Sequence, residues 1–318
     1  MLVTLGETAL RLSPPGTGRL ERADRLEVQA SGPESNAGVL ARRLGEPVTW
    51  LSRLPDSPLG RRVAGELRGY DLDVEVSWGE GRQGLTFHER GGAPRGDDRV
   101  DDRTGAAAAS LSMDDLPLDP VREADVAYVT GATPALSNDL AGATARFLKT
   151  ANDHGATTAL SLEYRPWLWN GPDAARDTLT GFFPAVDVFL AREADVETVL
   201  DRSGSPAEVA HGLAANWGFE QVLLVRERTC VVYHDATVHE YPNPDVDAVD
   251  RTGREAAFAG AFLAAVREGA DPAEALKTAV AARALASTLP GAVPTLVRAE
   301  VERVAEGIER RGDADRTR

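Results

Sequence analysis

Four short apolar runs, Asp125 to Thr130, Ala159 to Tyr164, Val186 to Ala191 and Gln221 to Val225, are separated by stretches that read as helices. Those stretches are Ser137 to His154, Pro172 to Phe182, Glu193 to Leu200 and Pro206 to Trp217. Strands that alternate with helices lie parallel, because each crossover helix returns the chain to the end of the sheet from which the previous strand set out. The pattern therefore predicts an α/β fold whose ligands bind outside the carboxyl ends of the strands. Leu2 to Leu5 and Val48 to Leu54 read as further strands, with helices at Asn36 to Leu44 and Pro58 to Gly69. The C-terminal third reads as helical over Glu255 to Glu268, Pro272 to Leu289 and Arg298 to about Arg310, with GDADRTR (312–318) as a frayed tail.

Two segments break the alternation. Leu10 to Ala30 is polar and holds Pro14, Pro15, Gly16 and Gly18, and residues 74–103 alternate weakly and carry many charges. Both read as β structure outside the main sheet. No repeat or low-complexity linker divides the chain, so residues 1–318 read as one domain.

Charge bounds the partners. Fifty acidic against 35 basic side chains give a formal net charge of −15, a field that repels nucleic acid and anionic membrane surfaces. Lys149 and Lys277 are the only lysines and Ile308 the only isoleucine. Adaptation to high salt and a GC-rich genome both account for this composition. Cys230 is the sole cysteine, which rules out an internal disulfide and a cysteine-based metal site, and the five histidines lack zinc-ligand spacing. The N-terminus does not read as a signal peptide, and no run approaches the roughly 20 apolar residues of a membrane span, so the expected location is cytoplasmic.

Three stretches can carry chemistry. In SGPESNAGVLARRLG (31–45), Gly32 allows close backbone approach, and Glu34, Ser35 and Asn36 cluster at a helix start, where they either cap it or bind hydroxyl groups. In SLEYRPWLW (161–169), which follows a strand, Arg165 can pair with a carboxylate or phosphate and Tyr164 can bond a hydroxyl. In DRTGREAAFAGAFL (250–263), Thr252 and Gly253 precede an apolar helix, and free N–H groups at a helix start favour a phosphate. No P-loop or GxGxxG is present, and RGGAPRG (90–96) reads as a hairpin tip.

In order and spacing, LGETALRLSP (5–14), GPESN (32–36), RLPDSPLGRRV (53–63), GATPALS (131–137), EYRPWLW (163–169) and the 250–263 loop-helix resemble the PfkB, or ribokinase-like, carbohydrate kinases, most closely the 2-keto-3-deoxygluconate kinases of haloarchaeal type. The resemblance implies a three-layer sandwich around a mostly parallel sheet, with a small β lid from about 9–30 and 74–103 that often forms the dimer contact. It implies transfer of the ATP γ-phosphate to a sugar-acid hydroxyl with Mg²⁺ and, in some members, K⁺. Gly32, Glu34, Asn36, Arg103, Tyr164 and Arg165 match substrate-binding positions. Arg192 and Asp195 stand at the ends of the Asn-x-x-Glu motif tied to Mg²⁺ and phosphate. Arg226 opens the nucleotide loop, which lacks both its glycines here, and Asp250 and Thr252 lie in the phosphate-facing loop. Gly253 survives from the motif DTxGAGDAF, but Arg254 and Glu255 replace two small residues, and the catalytic acid's position holds Ala256.

Alanine cannot accept a proton. Glu255, one residue earlier, can supply a carboxylate if the backbone aims it, and Arg254 can contact the γ-phosphate. Adjacent helical residues point about 100° apart, so this needs a specific geometry. The alternative is a homologue that binds a sugar acid or nucleotide without turnover.

Overall fold

The computed structural model describes residues 1–92 and 94–315, with side chains described to Ile308. Among the described residues, thirteen strands run β1 (Leu2–Leu5), β2 (Ala9–Ser13), β3 (Glu27–Ser31), β4 (Val48–Pro55), β5 (Asp73–Gly79), β6 (Leu85–Glu89), β7 (Asp98–Asp102), β8 (Val126–Thr130), β9 (Thr157–Ser161), β10 (Val188–Arg192), β11 (Gln221–Val225), β12 (Thr229–His234) and β13 (Thr237–Pro242). The α-helices are α1 (Pro33–Arg43), α2 (Pro58–Gly69), α3 (Asp119–Arg122), α4 (Asn138–Asp153), α5 (Pro172–Thr180), α6 (Glu193–Leu200), α7 (Pro206–Trp217), α8 (Arg254–Arg267), α9 (Pro272–Ala286) and α10 (Arg298–Asp315).

Nine strands form one sheet in the order β13-β12-β11-β10-β9-β8-β1-β4-β5, parallel from β5 to β11 and antiparallel at β12 and β13. Successive side chains of a strand face opposite ways. Leu2 and Tyr128 therefore face α1, α8 and α9, whereas Val3, Leu5, Ala127 and Val129 face α4 and its neighbours. Two separate cores result, one on each face, which is the three-layer arrangement.

A second sheet, β3-β2-β6-β7, lies apart from the first. It takes only part of the expected 74–103 segment. Residues 73–79 instead pair in parallel with β4, from Thr49↔Asp73 to Pro55↔Gly79. The crossover helix α2 returns the chain to the open edge of β4, which would otherwise stay unpaired. Strands β12 and β13 were not anticipated. Their hairpin turns at Asp235 and Ala236, both with positive φ, where Asn-Gly or Asp-Gly is the usual signal. Helix α10 runs through Asp315, so the expected tail is helical over its first four residues, and 316–318 lie outside the described residues. Among the described residues no helix is long and apolar enough to cross a membrane.

Candidate active site

Two helices aim their N-termini at one point. Gly32 is the N-cap of α1 and Gly253 the N-cap of α8, and neither start has a side-chain cap. The helices pack closely because Gly260 of α8 sits against the Ala37 carbonyl of α1, where a Cβ would not fit. Gly253 is in the left-handed region at φ 82°, and a Cβ there would run into the Ala292 carbonyl. The start of α8 is thus left without a side-chain cap at a point where its first N–H groups have no intrahelical partner.

Between these starts and the second sheet lies a cavity of about 110 Å³. Ser31, Gly32 and Asn36 form one side, Thr252, Gly253, Glu255 and Ala256 another, and Glu163 and Arg165 a third. Arg11, Thr86, His88, Arg99 and Arg103 come from or just beyond the second sheet. A larger cleft of about 540 Å³ adjoins it, lined by Arg192, Arg226, Arg251, Arg254 and Arg283, with Val225, Val246 and Val280. Glu255 lines both.

The Glu255 carboxylate is clamped. Arg283 donates from Nε to Oε2 at 3.1 Å and from Nη2 to Oε1 at 3.0 Å, and Arg254 Nε donates to Oε1 at 3.0 Å. Burial alone would raise the Glu255 pKa, but Arg283, Arg254 and Arg192 outweigh it and hold the group below the ordinary glutamate value. It is an ionised carboxylate between the two spaces.

The expected substrate residues divide. Gly32, Asn36, Arg103 and Arg165 line the cavity. Tyr164 does not: its ring is buried in the core, and its carbonyl accepts from Arg192 Nη2 at 3.2 Å. Glu34 also points away from the cavity. It is fully buried, and its Oε1 accepts from Thr130 N, Thr130 Oγ1 and Thr133 Oγ1 at 3.0, 2.7 and 2.6 Å. The side chain therefore ties α1 to the end of β8 rather than meeting a ligand.

Burial pushes the Glu34 pKa up to about 7 from 4.5, with Thr133 and Thr130 opposing and Glu163 adding to the rise. Between these values the native chain keeps a proton that the unfolded chain has lost. Stability from this group therefore falls as pH rises through that window, by about 3 kcal/mol in all. Glu34→Gln is expected to gain in melting temperature relative to wild type between pH 5 and pH 8. A difference that stays constant across that range contradicts the assignment.

The expected nucleotide residues divide likewise. Arg192 and Arg226 line the cleft. Asp195 lines a small void beside it, with both oxygens taken by Arg192 Nε and Nη2 at 2.7 Å. Asp250 lines neither space. It accepts from Arg11 Nη2 at 2.9 Å, Thr252 N at 2.9 Å and Gly291 N at 3.2 Å, so it fixes the loop. Thr252 faces the cavity rather than the cleft. Glu193 pairs with Arg226 at 2.7 Å, and among the described residues no group of three or more His, Cys, Asp or Glu could hold a metal ion.

Sequence reasoning missed Arg11, His88, Arg99 and Arg283. Arg11 Nη2 lies 2.5 Å from His88 Nδ1. Arginine can only donate, so Nδ1 accepts and Nε2 carries the proton, facing Thr252 Oγ1 at 3.3 Å. Burial and the Arg11 charge push the His88 pKa down to about 4, which keeps the ring neutral. Arg283 lies in no motif, and only the packing of α9 on α8 brings it to Glu255.

A profile of the pfkB family carbohydrate kinases matches residues 1–297. The chain belongs to this family. It is 43% identical over 315 residues to a 2-dehydro-3-deoxygalactonokinase of Haloferax volcanii, covering 98% of each chain. It is 28% identical over 289 residues to a 2-dehydro-3-deoxygluconokinase of Thermoproteus tenax, covering 89% of this chain and 87% of that one. Among solved structures, a 2-dehydro-3-deoxygluconokinase of Thermotoga maritima superposes with a TM-score of 0.92 at 30% identity, over 96% of this chain and 98% of the other. The second sheet takes β2 and β3 from the 9–30 segment and only β6 and β7 from the 74–103 segment.

Proposed function

We propose that this pfkB member transfers the γ-phosphoryl group of ATP, supplied as its Mg²⁺ complex, to a hydroxyl of 2-keto-3-deoxygalactonate or 2-keto-3-deoxygluconate. The observation that carries the reading is the position of Glu255 on the walls of both the arginine-lined cavity and the arginine-lined cleft. The 43% identity to the Haloferax relative supports the substrate class.

The sugar acid occupies the cavity, with its carboxylate toward the arginines, and ATP lies in the cleft. The sugar hydroxyl oxygen forms a bond to the γ-phosphorus as the bond from that phosphorus to the β–γ bridging oxygen breaks, and ADP leaves. Glu255 accepts the hydroxyl proton. The N–H groups at the start of α8 and the Arg254 guanidinium stabilise the charge on the transferring group, which is where most catalysis of phosphoryl transfer lies. Release of ADP and sugar phosphate by purified protein with ATP, Mg²⁺ and K⁺ tests the reading. No turnover of either acid at any salt concentration would sink it.

Arg283 is the strongest of the cations that hold Glu255 ionised. With Arg283→Met the buried carboxyl loses that support and its pKa rises. The base works only when ionised, so the acidic limb of the pH–rate profile is expected to move to higher pH. A limb that stays in place contradicts Glu255 as the base.

We also propose that the chain acts as one unit and self-associates through the second sheet. Its edge strands expose Val28 and Val100. Sedimentation of wild type beside Val100→Glu tests this, with dissociation expected in the variant.

A further inference from the structure

We propose that Arg99, on β7, is a principal ligand of the substrate carboxylate and sets the preference for an acid over a neutral sugar. The inference rests on the sugar-acid reading above.

Four arginines, Arg11, Arg99, Arg103 and Arg165, line the cavity, and they differ in how far the protein already satisfies them. Arg11 shares with Arg99 a buried, unpartnered Nε, but its Nη2 is tied to the buried Asp250 carboxylate at 2.9 Å and to His88. Arg103 is the most committed. Its Nη1 donates to Glu7 at 2.5 Å, and its Nε and Nη2 reach Asp101 Oδ1 and Thr86 Oγ1 at 3.3 Å each. Arg165 has Glu163 to itself.

Arg99 is the least satisfied. Its Nη2 donates to Thr86 Oγ1 only at 3.5 Å and to Asp101 Oδ1 at 2.9 Å, an oxygen that already accepts from Arg103 and from Thr86 at 2.7 Å. Its Nε is buried with no hydrogen-bond partner. Burial and the nearby positive Arg165 push its pKa down to about 10, so a cation here lacks its usual compensation. Asp101 is held down to about 2, since Arg103, Arg99 and Thr86 outweigh its burial; it remains a fixed anion serving two arginines. Trp167 lies under the Arg99 guanidinium, 5.4 Å from its carbon to the ring centroid, which holds the planar group in place.

A half-buried guanidinium with a buried free donor gains most from an incoming carboxylate. That carboxylate would meet Arg99 on the cavity wall, with Arg165 opposing Arg99 until the anion arrives. Arg99 and Asp101 share one side of β7, and Arg103 follows one residue past its end.

Calorimetric binding of 2-keto-3-deoxygalactonate, 2-keto-3-deoxygluconate and the carboxamide of each, without ATP, tests this. Wild type is expected to bind the acids at least about tenfold more tightly than the amides. Arg99→Met should weaken the acids by about 10- to 100-fold, leave the amides within about threefold, and so abolish the discrimination. Arg99→Lys should restore part of it. Arg99→Met binding the acids as tightly as wild type overturns the role of Arg99, as does equal weakening of acid and amide, which marks a structural wall. Should Arg99→Met fail to fold, full discrimination retained by a folded Arg99→Lys overturns it too, because lysine cannot reproduce the planar fork. Wild type binding neither acid brings down the sugar-acid reading, and this inference with it.

Discussion

Glu255→Gln is expected to lower kcat by about 10²–10⁴-fold, the range for loss of a positioned general base, while the KM for each substrate changes by less than about threefold. Glutamine keeps the volume and can still accept from Arg283, so the first turn of α8 should stay intact. What it loses is the ability to take a proton in the transition state. That selectivity for kcat separates a base from a residue that merely shapes the cavity. Steady-state kinetics in both substrates check it. Equal turnover by wild type and variant would assign the proton to water or to another group, and the clamp of Arg254 and Arg283 would then be structural.

Gly253→Ala should be the most damaging single substitution in the loop. The left-handed conformation at φ 82° costs a residue with a Cβ about 1–2 kcal/mol. The added carbon also meets the Ala292 carbonyl, so the backbone has to move. Together these predict a fall in melting temperature of about 5 °C or more. Activity should fall further than stability. On the proposed reading the N–H groups of α8 meet the transferring phosphoryl group, and displacing such a site by about 1 Å can cost about 10²-fold. Thermal unfolding and kcat/KM measured together check this, and a variant of unchanged kcat/KM would exclude the start of α8 from catalysis.

The parallel sheet was legible because β8 to β11 and their crossover helices repeat one apolar run and one amphipathic stretch each. The second sheet was legible only in part. Val74 and its neighbours carry the weak alternation of an edge strand, and nothing local says which edge they join. The β12–β13 hairpin escaped because Asp235 and Ala236 are not a usual turn pair.

The site was legible where chemistry follows a strand end or opens a helix, as at Gly32, Asn36, Arg165 and Gly253. It was not legible where tertiary packing chose the partner. Glu34 sits in one motif with Asn36, yet the two-residue step between their positions carries it about 200° round the helix, from the cavity into the core. Arg283 lies 28 residues from Glu255 and meets it only because α9 packs on α8. Arg99 escaped because nothing local marks it, and only the placement of β7 beside the cavity brings it to the wall.

Ala256 also lines the cavity, where the pfkB resemblance places the catalytic acid. The most direct measurement is ADP release with 2-keto-3-deoxygalactonate or 2-keto-3-deoxygluconate, ATP and Mg²⁺, by wild type and by the double variant Glu255→Gly, Ala256→Asp. The double variant restores the usual acid and removes the relocated one. A base at Glu255 predicts turnover by wild type itself, without the substitutions. A silent wild type beside an active double variant would contradict it, and would show a binding scaffold whose catalytic acid was lost rather than moved.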